Sequence, residues 1–114
     1  MDNRFLIYEG FEKDAKGIFN SLIHKCNLQI TLLNDSGIVL ENGKVKIEVS
    51  YETSIQVWVT NKLEATNVIL SDLSKRKGLL EEYISIRKKE IPTAEKLKKI
   101  SSFLISHFSK ELSP

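Results

Sequence analysis

Ile38-Val39-Leu40-Glu41-Asn42-Gly43-Lys44-Val45-Lys46-Ile47-Glu48-Val49 is the stretch whose reading decides the fold. Apolar and polar residues alternate on both sides of Asn42-Gly43, and alternation is the period of a half-buried strand. Asn-Gly is the preferred pair for a two-residue type I′ turn, because both central residues need φ > 0, which glycine takes freely and asparagine tolerates. A β-hairpin is expected, with Asn42 and Gly43 as its loop. In that register Glu41 faces Lys44, Leu40 faces Val45, Val39 faces Lys46 and Ile38 faces Ile47. Ile38, Leu40, Val45, Ile47 and Val49 then share a core face, and Val39, Glu41, Lys44, Lys46 and Glu48 a largely wet one.

The flanking strands follow by parity. Leu28, Ile30 and Leu32 alternate with Gln29, Thr31 and Leu33 ahead of the turn signal Asn34-Asp35-Ser36-Gly37, and Ile55, Val57 and Val59 alternate with Gln56, Trp58 and Thr60. Opposed residues share a face, so placing Ile55, Val57 and Val59 with Val45, Ile47 and Val49 requires a loop of three or five residues around Glu52 and Thr53. The expected product is a four-stranded antiparallel meander. Trp58 falls on its second face with Gln56, Thr60, Thr31, Leu33 and Val39. If that face is open, Trp58 is a ready interface anchor. The ample apolar surface after residue 62 favours a covering helix instead.

Phe11, Ala15, Ile18, Phe19, Leu22, Ile23 and Cys26 form one helical stripe over residues 11 to 26, with Gly17 marking a close approach of helix to sheet. Phe5 to Tyr8 reads as either a short edge strand or an extra helical turn. Val68-Ile69-Leu70 is apolar enough for a further short strand, and Ser71 or Asp72 suits the cap of a helix starting near Leu73. Gly78 interrupts. Leu79, Leu80, Tyr83, Ile84 and Arg87 resume helical spacing as far as Pro92, which marks a break. Thr93 is the expected N-cap of a last helix through Leu112, with Leu97, Ile100, Leu104, Phe108 and Leu112 on one stripe. The order predicts one α+β domain over 1–114: an N-terminal helix, a four-stranded antiparallel β-meander and C-terminal helices packed on the sheet.

At 114 residues the chain can bury roughly two thirds of its unfolded surface in one core. Hydrophobic residues at 41% and charged residues at 28% indicate neither disorder nor a membrane protein. No apolar run approaches the roughly 20 residues of a bilayer span, and the N-terminus lacks a signal-peptide core, so a cytoplasmic location is expected. The single cysteine, Cys26, fits a reducing compartment. The net charge of +2 is unevenly spread, because residues 75 to 99 carry nine cations against four anions.

A search for chemistry yields little. His24 and His107 lack partners at a metal-ligand spacing, and His24 with Cys26, two apart on a helix, point in different directions. No phosphate loop, nucleophile elbow or paired acid motif is present. An enzyme, a cofactor and a bound metal are therefore not expected. Two binding surfaces remain. Arg76, Lys77 and Arg87, within the basic 75–99 region, could track phosphates as a small nucleic-acid-binding module, although cations alternate with Glu and no aromatic platform is interleaved. Trp58 could anchor a protein interface or self-association, the chain being a monomer or a homodimer.

The helix, the run Leu40 to Glu52, the strand Ile55-Gln56-Val57-Trp58-Val59, then Leu70-Ser71-Asp72-Leu73 and the helix from Thr93 to Leu112 resemble small bacterial immunity proteins of polymorphic-toxin and contact-dependent-growth-inhibition systems. The resemblance spans most of the chain and carries no catalytic motif. It implies a cytoplasmic protein that binds and neutralises a cognate toxin domain without catalysis. Glu41, Glu48 and Glu52 would meet a cation-rich toxin; the basic 75–99 region would meet an acidic one.

Overall fold

The computed structural model describes residues 11–51 and 54–114. Phe5 to Tyr8, and with them the choice between strand and helical turn, lie outside the described residues, as does Glu52. Five strands, β1 (Gln29–Asn34), β2 (Gly37–Glu41), β3 (Val45–Tyr51), β4 (Ile55–Asn61) and β5 (Thr66–Ile69), form an antiparallel meander in sequence order. The expected four strands are thus one too few. After β4 the chain reverses through residues 62–65, where the Asn61 Oδ1 accepts the N–H groups of Leu63 and Glu64 at 3.0 and 3.1 Å and Ala65 takes φ 55°. This tight reversal makes Val68-Ile69 an edge strand, with Val68 opposite Val59 and Ile69 opposite Trp58. Leu70, the third residue of that apolar run, instead opens a helix and is fully buried.

The central hairpin has a different register from the one expected. Glu41 pairs with Lys46, Leu40 with Ile47, Val39 with Glu48 and Ile38 with Val49. Gly43-Lys44 therefore sits at the tip, and Asn42 faces Val45. The cause is the Asn42 side chain, whose Oδ1 accepts from the backbone N–H groups of Lys44 and Val45 at 2.8 and 2.9 Å while the Asn42 N–H donates to the Val45 carbonyl at 3.0 Å. Neither Asn42 nor Gly43 has the positive φ that a type I′ turn needs. A shift of two residues preserves every side chain's face, so Ile38, Leu40, Val45, Ile47 and Val49 are buried as expected although each pairing moved. Between β3 and β4, Tyr51 pairs with Ile55, leaving a three-residue connection, one of the two odd lengths that parity allowed.

In β1 a bulge falls between Ile30 and Leu32. Ile30 opposes Leu40 and Leu33 opposes Ile38, which puts both on the core side, whereas Leu32 opposes Val39 and is 49% exposed. The extra residue of a bulge inverts the alternation downstream of it. Leu32, and not Leu33, therefore shares the face of Trp58.

The five helices among the described residues, α1 (Phe11–Ile18), α2 (Asn20–Cys26), α3 (Leu70–Arg76), α4 (Leu80–Ile86) and α5 (Thr93–Leu112), contribute to one core on the other side of the sheet. The expected single N-terminal helix is broken at Phe19, yet Phe11, Ala15, Phe19, Leu22 and Cys26 remain one buried stripe. Gly17 is exposed, with nothing within 4 Å of where a Cβ would stand, so it marks no close approach. Helix α3 starts at Leu70, three residues before Leu73 and without a side-chain cap from Ser71 or Asp72, because Leu70 is drawn into the core. Gly78, at φ 73°, ends the turn after α3. Thr93 is the first residue of α5 and Pro92 its N-cap, the Pro92 carbonyl accepting the Lys96 N–H at 2.9 Å. Helix α5 is the spine of the helical layer: Leu97, Ile100, Phe103, Leu104, Phe108 and Leu112 are all buried, each such side chain contributing roughly 1.5–3 kcal/mol. Among the described residues no helix is long and apolar enough to cross a membrane.

Candidate functional site

The second face of the sheet carries no described helix. Across it runs one row of directly opposed residues, Leu32, Val39, Glu48, Trp58 and Ile69, one from each strand. With strands about 4.8 Å apart, the row spans about 19 Å. Four of its five members are apolar. Trp58 lies half-buried between Glu48 and Ile69 in the cross-strand register. Two residues further along lies a polar row, Gln29, Glu41, Lys46, Thr60 and Asn67, and on the other side of the apolar row Ser50 opposes Gln56. An apolar centre within a polar rim is the anatomy of a protein interface. Among the described residues no helix covers Trp58, because the apolar surface after residue 62 is consumed on the core side, where Leu70, Tyr83 and the α5 stripe are buried.

The acidic residues of this face are already engaged. Glu41 accepts from the Thr31 hydroxyl at 2.5 Å and pairs with Lys62 at 2.8 Å, and Lys62 also donates to the Asn42 carbonyl at 2.8 Å. These contacts, Lys62 first and Thr31 second, hold the Glu41 carboxyl below its ordinary range. Glu48 pairs with Lys46 at 3.1 Å along the same strand, and this contact raises the Lys46 ammonium above its usual range. Glu41 and Glu48 are therefore balanced by lysines, and the face presents no acidic field. Glu52 lies outside the described residues.

The basic candidates do not come together. Arg76 and Lys77 line a cleft of about 230 Å³ with Val45, Asn61 and Leu112, at one end of β3. Arg87 lies beside Ile55 and Tyr51, at the other end. Val45 and Tyr51 are the two ends of β3, so the separation is about 20 Å. Lys77 and Arg87 also have structural partners. Lys77 donates to the His107 carbonyl at 2.7 Å, pairs with Glu111 at 2.8 Å and stands 4.7 Å above the Phe108 ring. Half-buried Arg87 donates to the Ile55 carbonyl and stacks 5.7 Å over Tyr83.

Neither histidine assembles a reactive site. His24 is exposed while Cys26 is buried, and burial pushes the Cys26 thiol up, away from a nucleophilic thiolate. His107 contacts Glu82 at 2.6 Å and packs edge-on against Phe103. No group of three or more His, Cys, Asp or Glu positioned for a metal occurs among the described residues. Sequence reasoning found Trp58 and Val39 but missed Leu32 and Ile69. Ile69 follows from parity once the reversal at residues 62–65 is recognised; Leu32 depends on a bulge that no local residue announces. No protein-family model, no curated protein and no solved structure matches this chain.

Proposed function

We propose that this chain is a non-catalytic binding protein of the immunity type, which neutralises a bacterial toxin domain by applying the open face of its sheet to it. The observation that supports the reading is the row Leu32, Val39, Glu48, Trp58 and Ile69, apolar on either side of the central Glu48, with a half-exposed tryptophan next to that centre and polar rows on either side. A rigid sheet holds such a band in place before the partner arrives, so little side-chain ordering opposes association. Tryptophan is among the residue types that most often dominate binding energy. The charges of the face are internally paired, so contact with the partner is led by shape and apolar burial. Steering by a net field contributes less. A nucleic-acid role has less support, because Arg76 with Lys77 and Arg87 lie at opposite ends of the sheet.

The test is co-expression in bacteria of the toxin domain encoded beside this gene, with growth as the readout and complex formation measured on the purified pair. Rescue is expected with the native chain. Trp58→Asp and Val39→Asp, both on the open face, are expected to remain folded and to lose rescue. Full rescue by folded Trp58→Asp would sink the open-face reading, and no rescue by the native chain would sink the immunity reading.

A further inference from the structure

At the end of the sheet away from the Asn42 turn, a cavity of about 240 Å³ opens between the β3–β4 connection, the segment after α4 and the start of α5. Its lining is Tyr51, Ser54, Ile55, Arg87, Lys89, Thr93 and Lys96: three cations, three hydroxyls and no described carboxylate. We propose that this cavity is a binding site for a phosphate dianion, free or as the terminal group of a small phosphomonoester.

The cations are placed for a ligand. Arg87 is fixed by its bond to the Ile55 carbonyl and by stacking on Tyr83, which holds the guanidinium at the cavity wall. Lys96 is half-buried, and neither Lys89 nor Lys96 has an ion-pair partner among the described residues. Three cations around one cavity repel one another, and an anion between them relieves that repulsion. Even with Glu52 of the β3–β4 connection counted in full, the cations remain in excess.

Donor number selects the anion. The remaining N–H groups of Arg87, two ammonium groups and the Ser54 and Thr93 hydroxyls offer more donors than a carboxylate's two oxygens can use, whereas a phosphate presents three or four strong acceptor oxygens. The first turn of the 20-residue α5, which begins at Thr93, adds partial positive charge of the same sign. At about 30 Å³ per water the cavity holds about eight waters, so a phosphate leaves room for a small attached group.

The test is an amide NMR titration of the full chain at low chloride with inorganic phosphate, with glycerol 1-phosphate and with glycerol as the neutral control. Saturable shifts at residues 54–55 and 87–96 are expected with both phosphates and none with glycerol. Tighter binding of glycerol 1-phosphate identifies an ester as the ligand; tighter binding of inorganic phosphate identifies the free ion. Lys89→Gln with Lys96→Gln should weaken binding by at least about tenfold at an unchanged urea midpoint, since each lost charge-assisted hydrogen bond is worth about one decade or more. Lys75→Gln, on α3 and outside the cavity, should not change it. The proposal is overturned if phosphate gives no saturable shifts, if chloride at equal ionic strength gives the same ones, or if the double variant binds like the native chain.

Discussion

The Asn42 side-chain amide donates to the backbone carbonyl of Leu112 at 2.8 Å, joining the β2–β3 turn to the last residue of α5 across 70 positions of sequence. Its second hydrogen goes to the carbonyl of Cys26, the last residue of α2, at 2.9 Å. Carbonyls in a helix's final turn have no intrahelical N–H to accept. One asparagine thus closes two helices and, through its Oδ1, the hairpin itself.

Asn42→Ala is expected to destabilise the fold by about 2–4 kcal/mol, since it strands part-buried backbone groups on three elements. Asn42→Asp should cost about as much, because it keeps the acceptors but aims a carboxylate oxygen at two carbonyls. Urea denaturation checks both. A loss below about 0.5 kcal/mol for either would remove Asn42 from this role.

The glycines separate by environment. A Cβ on Gly37 would stand 2.7 Å from the Val49 carbonyl oxygen, so Gly37→Ala should cost about 2 kcal/mol or more by forcing β2 and β3 apart. Gly43 meets nothing within 4 Å and lacks positive φ, so Gly43→Ala should change stability by less than about 0.5 kcal/mol. A type I′ turn at Asn42-Gly43 would make Gly43→Ala clearly destabilising, so the same measurement distinguishes the two turns.

Among the described residues the buried Tyr83 hydroxyl has no well-formed hydrogen bond, Arg87 being its nearest polar neighbour, while its ring packs against Phe103 at 5.5 Å. Burial pushes its phenol above the ordinary range, and Arg87 acts the other way. Tyr83→Phe keeps the ring and removes the unpaired group, so thermal unfolding should show stability unchanged or raised by up to about 1 kcal/mol. A loss of more than about 1 kcal/mol would mean that the hydroxyl has a partner.

Glu41 gives a pH signature. Its carboxyl is lowered by Lys62 first and Thr31 second, so the stability it contributes is present above the unfolded carboxylate range and lost as pH falls through the lower folded value. Side-chain carbon NMR should place its titration below that of an ordinary Glu, and Lys62→Met should move it back up. The stability gap between the native chain and Glu41→Gln should close as the pH is lowered through that range. A gap that widens towards acid would reverse the assignment.

What could be read along the chain was face, and what could not was register and cover. The hydrophobic residues of β2, β3 and β4 reached the core as alternation required, and the α5 stripe ran through Leu112 as its spacing required. Parity alone required an odd connection of three or five residues from β3 to β4, and the structure has three. The pairing partner of Glu41 and the bulge that turned Leu32 outward did not follow, and the fifth strand was legible only as an apolar run at Val68-Ile69-Leu70. Nor did the separation of Arg76 and Lys77 from Arg87, because sequence proximity carries no information about which end of a sheet a helix reaches.

The sequence by itself determined which side chains lie together on a strand or a helix, because the periods of 2 and 3.6 are properties of the local backbone. Only the tertiary structure decided that Asn42 belongs to two helix ends, that Trp58 stands half-exposed on a face that no described helix covers and that three cations of the basic region share one cavity. Each of these depends on atoms brought together from distant parts of the chain, and on a single core that drew the five described helices to one side of the sheet.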